Sequence, residues 1–214
     1  MTMINIEQTL PRKKTLSNGA KRILDVSLTA LGLLAIWPVL LMISVAVAST
    51  SPGPVFFVQT RVGRDGRTFR MLKFRSMYRD AEKRRGDVEA MSDRDGICLK
   101  VKCDPRITPV GRFIRRWSLD ELPQLFNVLR GDMSLVGPRP ALVDEVAAYP
   151  SHAHDRHEVL PGITGLWQVS GRADISFEEM IALDLEYVRR LSFGADVWIL
   201  FRTFRAVIVG KGAY

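Results

Sequence analysis

From Val26 to Val47 the chain is almost wholly apolar, and no Asp, Glu, Lys, Arg or His occurs between Asp25 and Arg61. About 20 such residues in a helix cross a hydrocarbon core of about 30 Å. The pattern predicts a membrane helix over residues 21–50, ended by Ser51-Pro52-Gly53-Pro54, which cannot continue it. The run starts too far from Met1 and is too long for the apolar centre of a cleaved signal peptide, so it is expected to stay attached. Residues 1–20 are polar and aperiodic and read as a flexible N-terminal segment.

Residues 51–214 alternate short apolar patterns with Gly and Pro, as a compact domain does. Val55 to Arg61 and Thr68 to Phe74 are rich in β-branched and aromatic residues and flank Gly63-Arg64-Asp65-Gly66, whose Asp-Gly marks a hairpin turn. Arg79 to Asp95 interleaves acidic and basic residues and reads as a solvated helix face and loop. Short helices are expected over Glu121 to Leu129, closed by Gly131, and over Ala141 to Tyr149. Between them Gly137-Pro138-Arg139-Pro140 must be extended, because each proline biases its predecessor out of the helical region. Leu160-Pro161-Gly162-Ile163-Thr164-Gly165 reads as a second rigid loop. Phe177 to Leu191 and Asp196 to Val209 carry apolar residues at helical spacing. The fold class is α+β and mostly helical, with one small β-hairpin and no internal repeat.

The apolar run has two candidate topologies. Arg12, Lys13, Lys14, Lys21 and Arg22 precede it, and Arg61, Arg64, Arg67 and Arg70 follow it. A straight span would carry one basic flank across the membrane, against the positive-inside bias. Pro38 removes one helical hydrogen bond mid-run, so a kink at Trp37-Pro38 is expected. These facts suit a bent helix that enters and leaves one leaflet; a single kinked span is the alternative.

Composition narrows the partners. The 31 Lys+Arg against 23 Asp+Glu leave a net charge of +8, which implies an anionic partner: nucleic acid, a phosphorylated small molecule or the acidic face of a bilayer. No helix-turn-helix, zinc-finger or RNP-like pattern is present, so nucleic acid is not expected. Cys98 and Cys103 lack the second cysteine pair of a structural zinc site and form no disulfide framework. His152, His154 and His157 do not converge on one face of a helix, so no metal site is expected there.

The candidate chemistry lies in Ser118-Leu119-Asp120-Glu121-Leu122-Pro123. Pro123 belongs in a first helical turn, which makes Asp120 a natural N-cap. The functional alternative is that the adjacent carboxylates divide labour, one attacking an electrophile and one holding a divalent cation. Arg112, Arg115 and Arg116 lie just upstream, Arg139 sits between prolines and Arg172 follows a glycine; guanidinium groups on rigid loops suit bidentate phosphate contact. Arg64, Arg67 and Arg70 suit lipid headgroups. Trp198, Phe201 and Phe204 read first as core, with an interfacial belt as the alternative.

Taken together, several motifs resemble one family. These are Lys21-Arg22-x-x-Asp25 before an apolar run with Pro38, Gln59-x-Arg61-x-Gly63, Lys73-Phe74-Arg75-Ser76-Met77, Ser118-Leu119-Asp120-Glu121-Leu122-Pro123-Gln124, Asn127-Val128-Leu129-Arg130-Gly131-Asp132-Met133-Ser134, Gly137-Pro138-Arg139-Pro140, Pro161-Gly162-Ile163-Thr164-Gly165 and Gly171-Arg172. In this order, from about Lys21 to Tyr214, the chain resembles the bacterial sugar transferases, the monotopic polyprenyl-phosphate phosphoglycosyl transferases.

The resemblance implies the minimal form, without the further N-terminal transmembrane bundle of some relatives, and a catalytic domain over 51–214. It implies a re-entrant membrane helix at the bacterial inner (cytoplasmic) membrane, with that domain on the cytoplasmic face against anionic phospholipid. The implied reaction transfers a sugar 1-phosphate from a UDP-sugar to undecaprenyl phosphate with Mg2+, releasing UMP, as the first membrane step of exopolysaccharide synthesis. Asp120 matches the nucleophile that forms a covalent phosphosugar intermediate, and Glu121 its metal-binding partner, so both are implied metal ligands. Arg115, Arg139 and Arg172 match phosphate-holding arginines, and Lys73 and Arg75 a basic pair at the hairpin's end. Trp37 stands where relatives often have serine, while Pro38 of the helix break is retained. The ending Gly210-Lys211-Gly212-Ala213-Tyr214 is similar to exopolysaccharide-pathway members and favours galactose or glucose. A homo-oligomer is open on this reading. The rival is a membrane-anchored basic scaffold in which Asp120 only caps a helix; a hydrolase of the same nucleotide sugar is a further one.

Overall fold

The computed structural model describes residues 18–81, 83, 84, 86, 104–171 and 175–209. Arg12, Lys13, Lys14, Cys98, Cys103 and most of the mixed-charge stretch from Arg79 to Asp95 lie outside the described residues. Helix α1 spans Asn18–Thr50 as one continuous helix with Pro38 inside it. Among the described residues it is the one helix long and apolar enough to cross a membrane.

A straight helix of 33 residues is about 50 Å long, yet α1 packs on the same domain at both ends. Lys21, Asp25 and Thr29 are buried near its start, and Ile43, Val47 and Ser51 near or just past its end. Each set recurs every fourth residue, so each forms one helical stripe. Between the two stripes Leu31, Leu34, Trp37, Leu41 and Met42 are exposed.

The starting stripe is polar. Lys21 Nζ pairs with Asp196 Oδ2 at 2.6 Å and donates to the Val136 carbonyl at 3.2 Å, while the Tyr187 hydroxyl lies 2.7 Å from Asp196 Oδ1. Asp25 Oδ1 accepts from the Leu135 amide at 3.2 Å. Arg22 donates to the Val128 carbonyl and, at 2.8 Å, to the Leu129 carbonyl. These carbonyls belong to the last turn of α3 (Gln124–Arg130), a helix C-terminus, where a cation is favoured. Two charges of the basic flank therefore dock the apolar helix onto the domain. Within the helix the ending stripe is apolar, with Ile43 and Val47 in one cluster with Phe74 and Ile114.

Strands β1 (Phe56–Val62) and β2 (Thr68–Phe74) form the expected hairpin, antiparallel with Phe56 opposite Phe74 and Val62 opposite Thr68. Asp65 (φ 58°) and Gly66 (φ 73°) turn it in the left-handed region, which those residue types tolerate best. Helix α2 (Pro109–Arg116) is capped by Thr108, whose hydroxyl accepts from Gly111 N at 2.8 Å. Helix α3 is riveted to the hairpin by fully buried Asn127. That side chain accepts from Leu72 N at 3.0 Å and donates to Arg70 O at 2.8 Å. Gly131 closes α3 at φ 96°.

A second sheet departs from the sequence reading. β3 (Ser134–Val136) pairs in parallel with β4 (Gly162–Thr164), inside the segment read as a rigid loop. Three-residue strands are too short to show a period-two pattern. Gly162 is required there, because a Cβ would collide with Gly137 N. Helix α4 (Val143–Ala147) and a 3-10 stretch, Ser151–Glu158, precede β4, and α5 (Leu166–Ser170) follows it. Helix α6 (Phe177–Arg189) opens with a capping box, Glu179 accepting from Ser176 N at 2.9 Å and Ser176 from Glu179 N at 3.2 Å. It packs with α7 (Phe193–Val209) over a core that includes Val136, Trp167, Ile181, Tyr187 and Ile199.

The core reading of the α7 aromatics fails for two of three. Trp198 packs against the core, whereas Phe201 and Phe204 are 70% and 69% exposed. Phe193 and Val197 share their face and are exposed as well, so the stripe is genuine but turns outward.

Removing Lys21 leaves buried Asp196 without its cation. Lys21→Ala is expected to cost on the order of 3 kcal/mol, measured as a fall in chemical-denaturation stability of the detergent-solubilised protein.

Candidate active site

The chain leaves α2 through Trp117 and passes Ser118 at φ 55°, a left-handed conformation that costs a serine on the order of 1 kcal/mol. A 3-10 turn, Leu119–Glu121, follows, and α3 starts only after Pro123. Asp120 therefore does not cap α3; Pro123 occupies that position and its φ of −62° suits it. The strained serine turns the chain so that Asp120 and Glu121 both line a cavity of about 690 Å³. Asp120 is 7% exposed and the Glu121 side chain 31%.

Three elements bring four cations to this cavity: Lys73 and Arg75 from the end of β2, Arg115 from α2 and Arg139 from the proline-flanked loop after β3. Lys73 Nζ pairs with Glu121 Oε1 at 2.6 Å. Arg75 lines the cavity too, but its guanidinium donates to the Ser51 carbonyl and, at 3.3 Å, to that of Pro52, bracing the end of α1. The half-buried Arg139 makes no side-chain hydrogen bond or ion pair among the described residues, and its field reaches Glu121. Arg112 and Arg116 are exposed on α2 and do not line the cavity. Arg172 lies outside the described residues. Trp37 and Pro38 are exposed on α1.

The adjacent carboxylates are driven apart electrically. Burial, aided by the neighbouring Glu121 charge, raises Asp120 to about 6 against the pull of Lys73 and Arg115. Burial also works to raise Glu121, but Lys73, by charge and hydrogen bond, with Arg139 and Arg115, outweighs it and holds Glu121 below the usual range. The site thus has one carboxylate fixed as an anion and one whose charge is poorly solvated and available. An all-oxygen pair of this kind fits Mg2+, which takes one or two carboxylates and completes its shell with water and substrate phosphate. The chemistry available is nucleophilic attack by a carboxylate on an electrophile carrying phosphate, with fixed cations taking up its charge.

The three histidines form no such centre. They lie on the 3-10 stretch with His157 stacked on Tyr149 at 6.3 Å. Burial, and the charges of Arg156 and His154, push His157 down to about 4, so it is neutral at pH 7. No cluster of three or more metal-ligating side chains is found among the described residues. Sequence reasoning missed Arg156, Asp184 and Glu145, which support the Arg139 loop from behind. A charged residue among histidines, or an aspartate inside an amphipathic helix, carries no signal of burial.

Comparison with known proteins points one way. The family described as bacterial sugar transferase matches residues 16–210. Galactosyl transferase CpsE of Streptococcus agalactiae is 47% identical over 91% of this chain and 43% of its own length. Exopolysaccharide production protein ExoY of Sinorhizobium fredii is 40% identical over 91% of this chain and 88% of its own length. UDP-glucose:undecaprenyl-phosphate glucose-1-phosphate transferase of Xanthomonas campestris is 43% identical over 91% of this chain and 40% of its own length. The chain thus spans less than half of two of these relatives and nearly all of the third.

The raised carboxyl can be read directly. In a 13C titration of aspartate-labelled protein, the signal missing from Asp120→Asn should titrate near pH 6. In Lys73→Met it should titrate higher, because a cation that favours the ionised form has gone.

Proposed function

We propose, from the premise that the chain belongs to the bacterial sugar transferase family, that it moves a sugar 1-phosphate from a UDP-sugar to undecaprenyl phosphate and releases UMP. Galactose and glucose are the favoured sugars, since relatives are named for each, and exopolysaccharide synthesis is the favoured setting. The observation that carries this reading is the carboxylate pair of Asp120 and Glu121 in a cavity ringed by cations, on a domain bound to an apolar helix.

The ionised Asp120 oxygen attacks the β-phosphorus of the UDP-sugar, forming an O–P bond as the bond to UMP breaks and UMP leaves with the electron pair. An oxygen of undecaprenyl phosphate then attacks the same phosphorus, and the Asp120–phosphorus bond breaks to return the carboxylate. Splitting the transfer lets a soluble donor and a lipid acceptor use one cavity in turn. Arg115, Arg139 and Lys73 neutralise phosphate charge, with Arg172 as a further phosphate ligand on the resemblance alone. Asp120 and Glu121 would hold Mg2+, which supplies further screening of phosphate charge. Arg75 serves by tying the end of the membrane helix to the cavity wall.

The acceptor's phosphate lies at headgroup depth, so the cavity must too. A re-entrant α1 that turns back within one leaflet, with Pro38 inside it, is supported by its packing, since Lys21 and Val47 bind one domain and therefore one side of a bilayer. That domain stands at the cytoplasmic face of the bacterial inner membrane. The outward Phe201 and Phe204 then meet lipid, and exposed Arg64, Arg67 and Arg70 meet anionic headgroups, at roughly 1 kcal/mol each.

Without undecaprenyl phosphate, purified protein in nanodiscs should release no more than one equivalent of UMP per active site from UDP-galactose or UDP-glucose, and continued release should need the lipid acceptor. Acid quenching with a donor labelled in the sugar should leave label on the protein. Asp120→Asn should lose turnover at least about 10³-fold and take no label while staying membrane-bound. Near-normal turnover in that variant removes the covalent route, and UMP release without lipid acceptor at the full rate makes the protein a hydrolase.

A further inference from the structure

The loop Gly137-Pro138-Arg139-Pro140 has no regular structure to fix it, yet it presents Arg139 to the cavity. Its carbonyls are held one after another by distant parts of the chain. Gly162 N donates to Pro138 O at 2.9 Å, Arg156 Nη2 to Arg139 O at 2.9 Å, Arg61 Nη1 to Pro140 O at 3.1 Å and Val62 N to Ala141 O at 2.9 Å. Two of these four donors are buried guanidinium groups, Arg156 at 1% exposure and Arg61 at 5%.

Each guanidinium is itself anchored. Arg156 pairs with buried Asp184 and donates to the Tyr149 hydroxyl at 2.7 Å. Arg61 donates to Gln59 Oε1 at 2.7 Å and lies 3.9 Å from the Glu145 carboxylate. A buried ion pair is weak evidence of stabilisation, since well-packed apolar residues often serve as well. What apolar residues cannot do is reach two acceptors with one planar fork and hold a main-chain carbonyl at a set place. Arg139 lines the cavity with Asp120 and Glu121 while its carbonyl is held by Arg156, so the residue links the carboxylate pair to the Arg156 clamp.

We propose that Arg156 with its counter-ion Asp184, assisted by Arg61, is a positioning residue for phosphate transfer: it clamps the Arg139 main chain so that the Arg139 guanidinium is held in place before substrate arrives. The proposal rests on Arg139 contacting substrate phosphate. Misplacing a phosphate ligand by about 1 Å costs about 10²-fold in rate, so the effect should appear in turnover.

A double-mutant cycle tests it, with UMP release as the readout. Arg156→Lys keeps a cation beside Asp184 but loses the fork; it should lower kcat by about 10- to 100-fold. In the Arg139→Ala background the same change should cost less than about twofold, because nothing is left to position. An equal factor in both backgrounds is what a purely structural role gives, and it overturns the clamp. Should Arg156→Lys fail to fold, Arg61→Lys releases the next carbonyl and must show the same dependence on Arg139. If Arg139→Ala alone is fully active, the phosphate role of Arg139 fails and the clamp with it. If Arg139→Ala is slow and the cycle multiplies, the clamp alone fails.

Discussion

Everything in this protein depends on one apolar helix being gripped at both ends by a single small domain. The two grips differ in kind. At the start an ion pair, Lys21 with Asp196, and the Asp25–Leu135 contact fix a direction; at the end Ile43 and Val47 supply apolar area against Phe74 and Ile114. Polar contacts specify geometry and apolar ones supply free energy. The exposed middle, from Leu31 to Met42, is left to whatever solvent surrounds it, and for such residues hydrocarbon is the favourable one. The same contacts set the distance from that solvent to the cavity, because Arg75 joins the end of α1 to the strand that carries Lys73.

Within the cavity, chemistry follows from an asymmetry between neighbours in sequence. Asp120 and Glu121 share a turn, but Lys73 touches only Glu121. One carboxylate spends its charge on an ion pair and the other keeps it. The left-handed Ser118 makes this possible, since a regular helix start would have used Asp120 as a cap and spent its oxygens on backbone amides.

The sequence displayed the hairpin almost to the residue, the α6 and α7 helices and the apolar run, because each is long enough to express its period. It displayed the cavity as residue types: acidic neighbours and arginines beside prolines. It concealed the β3–β4 pair, which is glycine- and proline-flanked and three residues long, and misplaced Asp120 as a cap because Pro123 marks a helix start without saying which residue precedes it. It also concealed which cations are inside. Arg22, Arg61, Arg75 and Arg156 look like surface charge, yet all four donate to backbone carbonyls. An excess of Lys and Arg therefore overstates what the protein offers to an anionic partner.

Those internal arginines have a common logic. On the proposed function, a cavity used in turn by a soluble nucleotide and a lipid cannot rely on either substrate to arrange its phosphate ligands, since the ligands must be in place again after each leaves. Loops are the natural carriers of such ligands but lack a ladder to hold them. A buried guanidinium supplies the missing donors at fixed angles, and burial beside Asp184 or Glu145 keeps that guanidinium from turning to the substrate itself. On that reading the positive charge of the chain divides into a set that meets phosphate and a set that holds the first set still.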